Sequence, residues 1–104
     1  VMSDSSSDYF RTIVFLCGDF LGEVEDIGEL SGEDRYMREL VDSLLETEAY
    51  GIRHVLALEG GLGRYQSKLT SLFARYPDVV FVDTLLRRIT SLREMCVNCV
   101  DSFR

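Results

Sequence analysis

The sequence predicts an α/β fold: three layers around a short parallel sheet, in β-α-β-α-β-α order. Three observations predict it. The apolar runs Thr12–Cys17, His54–Leu58 and Val79–Val82 are continuous rather than alternating, which suits strands buried on both faces. Each run precedes a stretch with helical spacing. The middle run leads straight into Gly60-Gly61-Leu62-Gly63, a glycine turn that opens the next helix.

The elements follow in order. Residues 1–9, with Ser5, Ser6, Ser7 and Asp8, are small, polar and acidic and read as a disordered arm, which leaves residues 10–104 as one α/β domain. Beyond the first run, residues 18–33 form a long acidic loop. Met37, Leu40, Val41, Leu44 and Leu45 then make one apolar stripe. Ser31 and Asp34 stand at N-cap and N3 spacing, and Gly51 is placed to end that helix. The next helix carries Leu62, Tyr65, Leu69, Leu72, Phe73 and Tyr76, and Pro77 stops it. Thr84 is the expected N-cap of the last helix. Its seam of Leu85, Ile89, Leu92, Cys96, Cys99 and Phe103 is spaced as in a coiled coil. Core packing is the plain reading of that seam, and edge cover or pairing with a partner is the alternative.

Composition excludes several classes. The chain of 104 residues has 18 acids against 11 bases, a net charge of -7, which opposes nucleic acids and anionic membranes. Its apolar runs are far shorter than the ~20 residues that span a bilayer. No basic-then-apolar start resembles a signal peptide. Three cysteines make no disulfide framework, so a reducing compartment, cytoplasm or nucleus, is expected.

Candidate chemistry gathers at the expected strand ends, where open parallel sheets bind ligands. Asp19, Glu59 and Asp83 would converge there and could hold Mg²⁺ for phosphoryl or phosphodiester chemistry. Glu59 and Asp83 could equally cap helix N-termini. Cys17 would end the first strand as a nucleophile, but the acidic loop beside it raises a thiol pKa, and a buried core residue is the competing reading. Cys96 and Cys99 form a C-x-x-C pair late in a helix, which favours packing over zinc or redox chemistry. His54 would begin its own strand, too far from Cys17 to share a metal. Gly60, Gly61 and Gly63 could cradle a phosphate, although Gln66 occupies the third glycine position of a dinucleotide fingerprint.

The stretch Gly51-Ile-Arg-His-Val-Leu-Ala-Leu-Glu-Gly-Gly-Leu-Gly-Arg-Tyr65 resembles the late strand and glycine turn of rhodanese-like domains. The resemblance spans residues 12 to about 77 and places Thr12–Cys17 where that family has the strand ending in its active cysteine. It implies a rhodanese-like fold, or the second half of one, with Cys17 in the catalytic position. The family's loop runs from cysteine to arginine, whereas here Cys17-Gly-Asp-Phe-Leu-Gly22 lacks the cation and continues into acids. The resemblance therefore implies an inactive homologue that serves as a docking module.

The expected function is a non-catalytic protein-interaction module without a cofactor. Its contact residues would be Asp19, Glu23, Glu25, Asp26, Glu29, Gly60 and Gly61, and its partner a protein with a basic surface, with a homodimer also possible. The alternatives are a Mg²⁺-dependent hydrolase using Asp19, Glu59 and Asp83, and a sulfurtransferase or cysteine phosphatase using Cys17.

Overall fold

The run Thr12–Cys17 belongs to a longer repeat. Phe10, Ile13, Val14, Cys17, Phe20, Leu21 and Val24 recur at steps of three and four, and all are buried. That period is helical, and it continues through Gly18 and Gly22 without a break. The middle run behaves alike: Val55, Leu58, Leu62, Tyr65, Leu69 and Phe73 form one buried stripe across the glycines. In the computed structural model, which describes residues 4–25, 31–75 and 78–102, these segments are helices. The four elements are α1 (Asp4–Glu25), α2 (Ser31–Glu46), α3 (Ile52–Phe73) and α4 (Val79–Asp101).

The expected α/β fold is therefore corrected to an all-helical bundle, with no strand among the described residues. Thr12–Cys17 lies inside α1, His54–Leu58 inside α3, and Val79–Val82 forms the first turn of α4. The rhodanese-like placement falls with the sheet, because Cys17 ends no strand and Gly60-Gly61 makes no turn. Residues 4–9, expected within a disordered arm, are the first turns of α1. Residues 18–25 of the expected acidic loop are its last two turns.

Each helix packs against two neighbours, α1 on α2, α2 on α3, α3 on α4 and α4 back on α1, which gives a square bundle. The contacts fix antiparallel neighbours. A Cβ at Gly18 would lie 3.8 Å from Val41, and Arg11 reaches residues 45 and 47, so α1 and α2 run opposite ways. Ser6 pairs with Ser102 at one end, and Glu23 with Arg88 towards the other.

Two expectations hold in the core. In α2, Met37, Val41 and Leu44 are buried, with Leu40 and Leu45 packed beside them. In α4 the seam Leu85, Ile89, Leu92, Cys96 and Cys99 is buried throughout. Phe103, Tyr76 and Pro77 lie outside the described residues.

The caps differ from expectation. Gly51 does not end α2 but starts α3, with extended backbone (φ -130°) and its N–H donated to His54 Nδ1 at 2.9 Å. His54 is thus the N3 residue reaching back to its N-cap. Thr84 is interior to α4 and donates to the Val80 carbonyl at 2.9 Å, while Asp78 caps the helix by accepting from the Phe81 N–H at 3.0 Å. Asp34 accepts from the Tyr65 hydroxyl at 3.0 Å and so ties α2 to α3.

The turn between α2 and α3 is pinned from α1. Arg11 donates to the carbonyls of Leu45 (3.2 Å) and Thr47 (2.7 Å), which satisfies acceptors that a helix end leaves open. Its guanidinium lies 5.0 Å from the centre of the Tyr50 ring. Tyr50 is buried, donates to the Leu44 carbonyl at 2.6 Å, and meets Phe10 edge-on at 4.8 Å.

Gly61 sits where α3 approaches α2. A Cβ there would lie 3.0 Å from the Met37 sulfur and 3.1 Å from a Leu40 methyl, whereas one at Gly60 would meet nothing within 4 Å. Helix-interior glycine costs about 1 kcal/mol relative to alanine. Gly60→Ala is therefore expected to stabilise the fold by about that amount, while Gly61→Ala loses the gain to crowding. Thermal melts of the two variants check this, with a higher melting temperature for Gly60→Ala alone.

Candidate functional site

The residues expected to form a site are scattered over the bundle. Cys17 faces the core from α1, and Asp19 lies two residues on, exposed. Glu59 lies in a cleft between α3 and α4, bound to Arg93 at 3.1 Å. Asp83 is on the outer surface of α4, paired with Arg87 one turn later at 2.9 Å. The three carboxylates that a sheet edge would have gathered thus belong to three helices. Among the described residues no group of three or more His, Cys, Asp or Glu is arranged to hold a metal ion. Asp26 and Glu29 lie outside the described residues, as does the side chain of Glu25. Gly60 is exposed and Gly61 buried, both inside α3, so neither offers a helix N-terminus to a phosphate.

The three cysteines share the core. All are free and buried, with Cys17 on α1 and Cys96 and Cys99 one turn apart on α4. Burial pushes the Cys17 thiol up to about 12 from 9.0. Burial also raises Cys96, and negative charge on the nearby Cys17, Cys99 and Glu59 would raise it further. Cys99 is raised by burial, with the Ser102 hydroxyl acting in the opposite sense. A nucleophilic cysteine needs the thiolate, and desolvation suppresses it here. C-x-x-C spacing on one helix face places both sulfurs in the packing seam.

The cleft between α3 and α4 measures about 280 Å³ and is lined by Glu59, Gln66, Thr90, Arg93, Glu94, Val97 and Asn98. Arg93 organises it. Its Nη1 donates to Gln66 Oε1 at 2.8 Å and its Nη2 to Glu59 Oε1 at 3.1 Å. Gln66 Nε2 donates in turn to the Thr90 hydroxyl at 3.0 Å, and that hydroxyl donates to the Leu86 carbonyl. Gly63 leaves the room: a Cβ there would lie 3.3 Å from the guanidinium. Glu59, Gln66, Thr90 and the two Nη atoms of Arg93 bond one another and so join two helices, while Arg93 Nε is buried in the same cleft with no hydrogen-bond partner among the described residues.

A second groove, of about 190 Å³, runs between α1 and α4 and is lined by Leu16, Arg88, Ser91, Leu92 and Met95. Its one cation is neutralised. Arg88 pairs with Glu23 and lies 5.3 Å from the centre of the Phe20 ring. Beside the groove, the outer face of α1 exposes Tyr9, Phe15 and Leu16, with Phe15 56% exposed. Asp8 and Asp19 flank these apolar side chains on the same face, and both are exposed. Two of the acids expected to contact a partner, Asp19 and Glu23, thus border this apolar surface. The sequence showed the charge; the exposed apolar side chains beside it became visible only once α1 was known to be a helix.

Charge divides between the halves of the chain. Residues 1–50 hold 13 acids and 3 bases, net -10, while residues 51–104 hold 5 acids and 8 bases, net +3. Because α1 and α2 come from the first half and α3 and α4 from the second, opposite sides of the bundle differ in sign. No helix among the described residues is long and apolar enough to cross a membrane. No protein-family model, curated protein or solved structure matches this chain.

The thiols supply a test of the buried core. An unfolded chain releases its thiol protons near 9, whereas the folded one holds the Cys17 proton until about 12. The folded state then binds more protons, so stability is full below pH 9 and falls as pH rises from there towards 12. Thermal melts across that range should show the decline, and Cys17→Ala should make it shallower, with the buried Cys96 and Cys99 supplying the rest. At pH 8 a thiol reagent such as dithionitrobenzoate should react slowly with the native protein and rapidly in denaturant. Rapid native labelling of Cys17 would contradict the burial.

Proposed function

We propose that this bundle is a protein-interaction module that docks a basic amphipathic helix along α1 and the groove it shares with α4. The observation that carries the reading is the exposure of Phe15 and Leu16 between Asp8 and Asp19, beside a groove whose single arginine is already paired with Glu23. Large apolar side chains rimmed by charge mark docking surfaces, and helix-in-groove recognition uses apolar anchors one turn apart. The acidic rim selects a basic partner and steers it on approach. Burial of all three thiols leaves the site without a cysteine nucleophile, which supports a binding role over thiol catalysis. Free thiols also suit a reducing compartment, cytoplasm or nucleus.

The test uses a fluorescein-labelled helical peptide of about 18 residues, five turns, with leucines on one face and lysines elsewhere. Fluorescence anisotropy should report binding that weakens about tenfold in the Leu16→Glu variant. Raising salt from about 20 to 300 mM should weaken it further, since the screening length then shortens to a few ångströms. A scrambled peptide of equal charge should bind poorly. Equal binding by the scrambled peptide, or by Leu16→Glu, would overturn the reading.

A further inference from the structure

The exposed face of α3 is the counterpart of the exposed face of α1. Along α3, Arg53, Leu56, Gly60, Arg64 and Lys68 follow one another at steps of three and four, and all are exposed, Leu56 by 51%. The acid on this helix, Glu59, is held by Arg93 in the cleft with α4, so every charge on the outer stripe is positive. Arg64 is laid along the surface by stacking on Tyr36, 4.6 Å from the ring centre. On α1 the exposed stripe reads Asp8, Thr12, Leu16 and Asp19, with Phe15 beside it.

The two stripes match in register as well as sign. Asp8 and Asp19 are eleven residues apart, as are Arg53 and Arg64. Eleven residues are close to three helical turns, so each pair shares one face and spans about 16 Å. Laid antiparallel, the pairing sets Asp19 against Arg53, Leu16 against Leu56, Thr12 against Gly60, and Asp8 against Arg64. Every opposed pair is complementary, and Gly60 opens the space that close approach of two helices requires. Within one molecule the two faces cannot meet, because α1 and α3 are diagonal in the square.

We propose that the acidic face of α1 receives the exposed basic face of α3, centred on Leu56, from a second copy of this chain, which makes the bundle a head-to-tail self-associating unit. This rests on the docking reading of α1 given above and names its partner. The contact is heterologous: each copy offers one α1 face and one α3 face, so association continues past a dimer into short chains or closes into a ring. Each helix of 22 residues is about 33 Å long and roughly 10 Å wide. A single helix-on-helix contact of that size falls below the ~800 Å² per partner of a stable interface, so the association is weak and concentration-dependent.

Sedimentation velocity over a concentration series tests this, at about 20 mM and about 300 mM salt. Wild type should form a ladder of species at low salt and dissociate at high salt. Asp8→Arg with Asp19→Arg, and separately Arg53→Glu with Arg64→Glu, should each raise the dissociation constant about tenfold or more. Mixing the two charge-reversed proteins should restore association, because each then meets a complementary face. All four positions are exposed, and matching thermal melts would show that the variants fold. A monomer at every concentration, with the basic peptide still bound at α1, would overturn the second-copy assignment and leave the docking reading standing. Association that survives reversal of Arg53 and Arg64 but is lost in Leu16→Glu would also overturn it, and would assign the contact to two facing α1–α4 grooves. Loss of both self-association and peptide binding would remove α1 as a docking surface altogether.

Discussion

The stripe of Val55, Leu58, Leu62, Tyr65, Leu69 and Phe73 holds α3 in a helix that its own composition disfavours. Gly60, Gly61 and Gly63 stand in mid-helix, each costing about 1 kcal/mol against alanine. An isolated peptide of this sequence would gain little from propagation and would fray. Burial reverses the balance: a single fully buried leucine contributes roughly 2 kcal/mol, and this stripe has three leucines and two aromatics among its members. Helicity here is a consequence of tertiary packing, and α1 repeats the argument with β-branched Ile13, Val14 and Val24 inside its seam.

The dependence runs both ways. Gly61 is tolerated because α2 covers it, and α2 can come that close because Gly61 has no side chain. Met37 and Leu40 fill the space a Cβ would need. Gly63 plays the same part towards α4, where Arg93 lies over it and gathers Glu59 and Gln66. Two glycines that look like turn residues in the sequence thus mark the two flanks of α3 that meet its neighbours. At the end of the bundle Arg11 and Tyr50 do comparable work for α2, closing its last carbonyls from a different helix and from the following turn.

The difference between sequence and structure follows from these residues. The stripes of α2 and α4 were legible because nothing interrupts their period. Those of α1 and α3 were hidden by short continuous apolar runs followed by glycine, which have the form of a strand entering a turn. Counting Phe10, Phe20 and Val24 with Ile13, Val14 and Cys17 extends the period over four turns and identifies a helix, as a wider window would have done. The candidate site was affected accordingly. Asp19 and Glu23 were recognised as acids able to meet a basic partner, yet a loop reading gave them no face. The roles of Arg11, Arg88 and Arg93 had no local signal, because each partner lies in another helix, or in the turn after it, at least 27 residues away.

Ser6 and Ser102 sit within hydrogen-bonding distance, their hydroxyl oxygens 3.5 Å apart across 96 residues of chain. The polypeptide therefore enters and leaves the bundle at nearly one point. A domain with that property occupies no more of a host's backbone than a surface loop does, so it can be spliced into an exposed turn without prying apart the strands or helices on either side. By the same geometry the start of α1 can be linked to the end of α4 and the chain reopened between α2 and α3. That would keep every helix neighbour in place while changing which helix emerges first from the ribosome.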